Sequence, residues 1–379
     1  MRSEGIPKPT FVDTPEKLQK MTRALMSEPV VAVDTESNSL YAYRERVCLI
    51  QFSSPDKDYL VDPFALDDLS ALAPLFGSPA IEKIFHAAEY DLIVLHQDFD
   101  FSFANLFDTM VAARILGWKA VGLGSILQDQ FGIQVEKKYQ RANWGKRPLP
   151  REMLVYAQLD THYLIPLRTR IKAELVKTGR LPLAEEDFQR ACHVNANGHK
   201  RDGADCWRIN GARDLAPRQL AVLDEICKYR DQVAQSMDRP LFKVINNETL
   251  FKIAEASPHS MDELVAVKGL SQKQARWLGR GLLSAVQRGF QADPPKMPSK
   301  PRPSEAYLLR VDKLRQWRKK NGRIMGVESD VVLPKDLLYE FAESNPQTYD
   351  QVSEIMASVP WRLEKFGKQI LELLNPSKF

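Results

Sequence analysis

Cysteine is scarce in this sequence. Four occur among 379 residues, Cys48, Cys192, Cys206 and Cys227, and no two stand in a C-x-x-C pair. Such scattering excludes a disulfide-stapled scaffold and fits reduced thiols in a cytoplasmic protein. Histidine is nearly as rare, at six, and the group Cys192, His193, His199 and Cys206 lacks the paired spacing of a zinc site. No apolar run approaches the ~18–20 residues of a membrane span, and the opening MRSEGIPKPTFVD has no apolar signal core, so neither membrane nor export is expected. No G-x-x-x-x-G-K-[ST] phosphate loop occurs, which argues against a helicase and against use of ATP. A monomer is the expectation.

The remaining composition, 44% hydrophobic and 27% charged, is that of a folded chain rather than a disordered one. Its length predicts two to four domains at ~100–200 residues each. The net charge of +4 hides a strong segregation. Residues 51–110 hold 2 basic and 11 acidic residues, whereas 111–180 hold 13 basic and 5 acidic. Carboxylates concentrated beside cations suit a polyanion gripped near a metal site.

Residues 30–34, 45–52 and 57–62 read as strands, being short and rich in β-branched or aromatic residues. Helical periodicity follows at 87–97, 109–116, 123–131, 150–176 and 183–193. This order predicts a mixed sheet flanked by helices, an α/β domain over residues 1–195. A polar, glycine-containing linker is expected at 196–208, and a proline-rich spacer at 292–303.

Beyond the first linker the sequence repeats. An ungapped shift of 88 residues pairs Arg230 with Arg318, Leu250 with Leu338, Pro258 with Pro346 and Gly279 with Gly367, among twelve identities in 64 positions. Chance would give about four at ~6% per position. Two copies of one all-α bundle are therefore predicted, at 209–291 and at 304–379, the second divergent, each with about four helical segments.

Chemistry-bearing residues stand in three short segments of the first domain. Asp34-Thr35-Glu36 ends an apolar strand, where alternation puts Asp34 and Glu36 on one face, about 7 Å apart along the chain. Asp91 follows His86-Ala87-Ala88-Glu89-Tyr90 near a helix start. Tyr156 and Asp160 are one turn apart on a single helix face.

The order, spacing and residue types closely resemble the three motifs of the DEDD superfamily of 3′–5′ exonucleases. In that resemblance Asp34 and Glu36 fill the first motif, Asp91 the second and Asp160 the third. Tyr156, four residues before Asp160, marks the tyrosine subgroup (DEDDy), since the sister subgroup's histidine position is here Val155. The repeated unit is similar to the HRDC module through Tyr229-Arg230 and Trp317-Arg318, the A-E-x-x-P turn and the segment 264–270. That last segment matches only in the first copy, because its counterpart Val352–Ser358 lacks the glycine. The whole order resembles the ribonuclease D family.

The resemblance implies a ribonuclease H-like exonuclease domain followed by tandem HRDC domains. It also implies hydrolysis of RNA from the 3′ end, with precursor tRNA and other small structured RNAs as substrates and nucleoside 5′-monophosphates as products. Four clustered carboxylates need cations, because two at 4 Å repel by about 4 kcal/mol at an effective dielectric of about 20. Two Mg²⁺ or Mn²⁺ ions held by Asp34, Glu36, Asp91 and Asp160 are the expected cofactors. Tyr156 would orient or help deprotonate the attacking water. Gln51, His86, Tyr163, Lys137, Lys138 and Trp144 are candidates for substrate binding, the last three in a basic loop with Arg141, Lys146, Arg147 and interleaved aromatics. Asp108-Thr109 is a candidate for supporting the site. A DNA exonuclease and a non-catalytic nucleic-acid scaffold are the rival readings.

Overall fold

In the computed structural model, residues 6–135, 137–193, 206–296 and 302–376 are described. Much of the two expected linkers, residues 196–205 and 297–301, lies outside them. Contacts divide the chain into two units, one of residues 1–37, 47–196 and 302–379, the other of residues 38–46 and 197–301.

The first unit is built on a six-stranded mixed sheet of β1 (Thr10–Val12), β2 (Val30–Ser37), β3 (Val47–Ser53), β4 (Asp58–Val61), β5 (Glu82–Phe85) and β6 (Leu106–Asp108). Its spatial order is β1-β4-β3-β2-β5-β6. β3 runs antiparallel to both β2 and β4, while β5, β6 and β1 pair in parallel with their neighbours. The eight helices of this segment are α1 (Pro15–Leu25), α2 (Ala73–Gly77), α3 (Glu89–Phe99), α4 (Thr109–Leu116), α5 (Leu123–Phe131), α6 (Arg151–His162), α7 (Leu164–Lys177) and α8 (Leu181–Ala191).

The α/β class is as expected from the sequence, with local differences, among them the helices α1 and α2, which the periodicity does not announce. Three strands of three or four residues, β1, β5 and β6, are not announced by the pattern. The single helix expected at 150–176 is two. Tyr163 leaves helical geometry at φ −96° and ψ 0°, and Pro166 in the following turn has no N–H to continue the ladder.

The second unit holds α9 (Pro217–Ser236), α10 (Leu241–Val244), α11 (Asn247–Ala256), α12 (Met261–Ala266) and α13 (Gln272–Gln291). Residues 302–376, within the first unit, form α14 (Glu305–Met325), α15 (Ser329–Val332), α16 (Lys335–Ser344), α17 (Tyr349–Ile355) and α18 (Pro360–Leu374). Every helix of the second bundle starts 88 residues after its counterpart in the first, so the duplication is structural. Each bundle has five helices rather than four because α10 and α15 are single turns. The repeated arginine has one job in both copies: Arg230 donates to the Ile245 carbonyl at 3.1 Å, and Arg318 to the Leu333 carbonyl at 3.0 Å.

The second bundle docks on the sheet domain through charge. Arg362 is fully buried. It donates to Glu186 at 2.8 Å, to Asp187 at 2.9 Å and to the Val331 carbonyl at 2.9 Å, while Glu186 also accepts the backbone N–H groups of Trp361 and Arg362. Arg114 pairs with Glu328 and Asp330, and Arg190 with Asp336. Gly117 closes α4 at φ +83°, and a Cβ there would stand 2.3 Å from the Gly326 carbonyl oxygen, so only glycine permits this approach.

Candidate active site

β2 delivers the first two carboxylates. Asp34 and Glu36 face the same side of the sheet, with Gln51 and Leu49 of β3 directly opposite. The register breaks between Glu36 and Ser37, a bulge placed where a strand must re-aim its side chains.

Asp91 lies in the first turn of α3 and is buried. The Thr35 hydroxyl, on the opposite strand face from Asp34 and Glu36, donates to it in a short hydrogen bond. The turn that launches α3 is clamped by Asp108. Its carboxylate accepts Ala87 N–H at 3.1 Å and Ala88 N–H at 2.7 Å, and it caps α4 by accepting Met110 and Val111 N–H at 2.8 and 3.1 Å. Ala87 is held at φ +65°, a left-handed conformation unusual for alanine. Thr109 adds a hydrogen bond to the Phe85 carbonyl at 3.0 Å and one with His86 Nδ1 at 2.9 Å.

α6 brings Tyr156 and Asp160 to the same place, and a buried polar network fixes it to β3 and β4. Asp58 accepts from Ser53 at 2.6 Å and from Gln158 at 2.6 Å, and it pairs with His162 at 2.8 Å. Ser53 and Thr161 share a hydrogen bond of 2.7 Å. Burial works against the Asp58 charge, but these donors hold its carboxyl below the ordinary value.

Electrostatically the four acids behave as one cluster. Burial, then repulsion from Asp91, Asp160 and Glu36, pushes the Asp34 carboxyl well above its usual range. Glu36 is raised by burial and by Asp160 and Asp91. Asp91 is pushed up to about 7 and Asp160 to about 8, in each case chiefly by burial. The Tyr156 phenol is raised by burial and by the charges of Asp160, Glu36 and Asp34.

Among the described residues, no three Asp, Glu, His or Cys side chains stand close enough to enclose an ion as placed. The donor set itself fits one: all oxygen, anionic and mutually repelling, which is what hard divalent cations relieve.

The candidate substrate residues divide. Lys137 and Lys138 are exposed on a turn whose Tyr139 ring lies 5.9 Å from that of Tyr156. His86 is half-buried and bound to Thr109. Tyr163 is half-buried between His162 and Phe131. Gln51 is 0% exposed and Trp144 1% exposed, so neither lines a groove. The Gln51 amide, beside Asp34, has no hydrogen-bond partner among the described residues. The Trp144 ring packs 6.1 Å from Tyr156 and supports it from within. Arg147 also turns inward, gripping Asp62 through two hydrogen bonds of 2.7 and 2.6 Å. Burial of these side chains depends on how α6 covers β3, which the short aromatic-basic pattern does not encode. The Asp108 clamp was only half visible in sequence, since the acid before a helix is an N-cap signal while its second pair of bonds is not.

Known proteins match the chain along most of its length. A family model described as 3′-5′ exonuclease matches residues 9–176, and the HRDC domain model matches residues 219–286 and 308–374. A protein named Ribonuclease D from Gluconacetobacter diazotrophicus is 30% identical over 81% of this chain and 80% of its own length. Another of that name from Nitrobacter hamburgensis is 28% identical over 96% of this chain and 94% of its own. The crystal structure of Escherichia coli RNase D, described as an exoribonuclease involved in structured RNA processing, superposes with a TM-score of 0.70 at 25% identity, covering 98% of this chain and 99% of that one.

Proposed function

The chain belongs to the ribonuclease D family and is a 3′–5′ exoribonuclease, and from that premise we propose that it trims the 3′ ends of precursor tRNA and other small structured RNAs in the cytoplasm, releasing nucleoside 5′-monophosphates. The reading includes the division into an exonuclease domain at 1–195 and HRDC domains at 209–291 and 304–379. One observation carries the chemistry: acids from three distant segments raise one another's pKa at a single place. In this reading Asp34, Glu36, Asp91 and Asp160 hold two Mg²⁺ or Mn²⁺ ions, which would supply an activated water and charge to stabilise the departing 3′-oxygen.

The protein's own part is placement. β2, α3 and α6 hold the acids on separate rigid elements, and the Asp58 network and Asp108 clamp fix two of those elements against the sheet. Burial and the neighbouring carboxylates disfavour the phenolate of Tyr156 in the metal-free protein, and in this reading the Tyr156 hydroxyl orients or helps to deprotonate the attacking water. The rings of Trp144 and Tyr139 pack against that of Tyr156.

The test is degradation of end-labelled tRNA precursor and matched single-stranded DNA with Mg²⁺ or Mn²⁺. Shortening from the RNA 3′ end is expected, abolished in Asp34→Asn and Asp160→Asn with the far-UV CD spectrum kept. Tyr156→Phe should lower the rate by about 100-fold, within the range for a lost proton-handling or positioning group, while calorimetry still registers Mn²⁺ binding. Shortening from the 5′ end, or activity indifferent to both acids, overturns the assignment.

A further inference from the structure

We infer that Gln51 is a positioning residue of the exonuclease site, a buried amide that holds the Asp34 carboxylate in place when divalent cations are bound; the inference rests on the cation role proposed for the four acids. Gln51 is 0% exposed, and neither its amide nitrogen nor its amide oxygen has a hydrogen-bond partner among the described residues. No other described side chain has two buried polar atoms so placed.

Its place in the sheet identifies the partner. Gln51 stands directly opposite Asp34 of β2 on one side and Leu60 of β4 on the other, so the three side chains share one face, with the Cβ atoms of opposed residues about 4.5–5.5 Å apart. Along β3 that face continues with Leu49 and Ser53. Leu49 and Leu60 pack in one cluster with Tyr156 and Ala157 of α6, while Ser53 bonds to Thr161 of the same helix and to Asp58. Gln51 is thus sealed beneath α6. Its neighbours along and across the sheet are apolar at Leu49 and Leu60 and already bonded at Ser53, and the Asp34 carboxylate lies within a side chain's reach.

The fold alone does not ask for an amide here. Leu49, two residues earlier on the same face, is buried with no polar atom to satisfy, whereas a buried amide without partners has given up its hydration and gained nothing in return. Such a group in a native structure calls for a role. A carboxylate that ligates a cation turns part of its oxygen lone pairs to the ion and leaves others facing the protein, where a donor fixes its orientation. Asp91 already has a donor of this kind in the Thr35 hydroxyl. Gln51 gives Asp34 the same. Being neutral, the amide steadies the carboxylate without cancelling the negative charge that draws cations, as a lysine or arginine at this position would.

The test uses the full chain and Mn²⁺ alone, without RNA. Gln51→Met and Gln51→Leu are compared with wild type by isothermal calorimetry of Mn²⁺ binding and by thermal melting in EDTA, the two shapes being used so that a packing fault in one does not decide the matter. Each variant should bind Mn²⁺ about 10–100-fold more weakly, the usual loss when the partner of a metal ligand is removed. In EDTA each should melt at or above the wild-type temperature, because an unpartnered amide has been replaced by an apolar side chain. A glutamine that merely packs gives the reverse: lower melting temperatures and unchanged ion binding. Mn²⁺ affinity within about 3-fold of wild type in both variants overturns the inference, and so does a melting temperature in EDTA lowered in both. The cation reading fails separately, in the wild-type chain: if that chain binds no Mn²⁺, or if its binding survives Asp34→Asn undiminished, the acids lose their proposed role and this inference falls with it.

Discussion

Arg362→Met puts the docking of the second bundle to a quantitative test. The guanidinium is fully buried and answers Glu186, Asp187 and the Val331 carbonyl at once. Methionine fills much of the same volume but leaves the Glu186 carboxylate, 4% exposed, with two backbone N–H donors and no cation. Stranding one member of a buried pair costs about 3–5 kcal/mol. At about 2–4 °C per kcal/mol for a cooperative unit of this size, the melting temperature should fall by about 6–20 °C at pH 7.5.

The pH dependence of that loss has a definite sign. Burial already pushes the Glu186 carboxyl above its ordinary value despite Arg362, and without the cation it rises further. A carboxyl raised in the folded state withdraws stability as pH climbs from the unfolded pKa through the folded one. The variant's deficit should therefore be largest at pH 7–8 and shrink towards pH 5. Adding Glu186→Gln removes the stranded charge, and the double variant should recover to within about 2 kcal/mol of wild type. Thermal melts of the four proteins of this cycle at two pH values decide the matter. A single variant melting within about 2 °C of wild type at pH 7.5, or a double variant as unstable as the sum of its parts, would show that the ion pair is not what holds the interface.

Two further predictions concern groups that fix the sheet and the site. Lys83 is 1% exposed, donates to the Ser78 and Ile81 carbonyls, and is pulled down to about 8 mainly by burial. The unfolded chain then binds more protons between about pH 8 and 10.5, so wild-type stability measured against Lys83→Met should climb by about 3 kcal/mol over that window, and urea midpoints that stay parallel would contradict it. Asp108→Ser keeps an acceptor for the α4 cap but cannot reach Ala87 and Ala88, so helix content should hold while 3′ shortening falls at least about 10-fold, since small misplacements of reacting groups are expensive. Activity within twofold of wild type would reduce Asp108 to a helix cap.

Much of this arrangement was legible before any coordinates. The runs at 30–34 and 45–52 showed their strands because β-branched residues and alternation coincide there, and α4 and α5 begin and end where the periodicity says. The 88-residue offset was visible because it has no gap. What stayed hidden depends on neighbours distant in sequence. β5 is only Glu82–Phe85, and its lysine is buried where a sequence reading expects a solvated cation. Arg362 likewise reads as a surface charge until Glu186 is brought against it. Trp144 sits among five cations of its loop, the pattern of a stacking residue, yet α6 covers it.

The site's electrostatics explain why so much polar structure surrounds it. Four carboxylates that raise one another's pKa store repulsion that only protons or cations relieve, and a flexible scaffold would release it by moving them apart. Here each element that carries an acid is tied down by a different device: pairing with two neighbouring strands for β2, the four N–H bonds of Asp108 for the start of α3, and the Asp58 network for α6. The devices meet only at Ser53, which pairs with Ala32 of β2 and donates to Asp58, so loosening one displaces the acids of its own element first: two for β2, one for α3 or α6. Loss of such a device should therefore weaken ion binding in steps, one element at a time, whereas loss of an acid removes charge from the whole cluster and changes the titration of the other three.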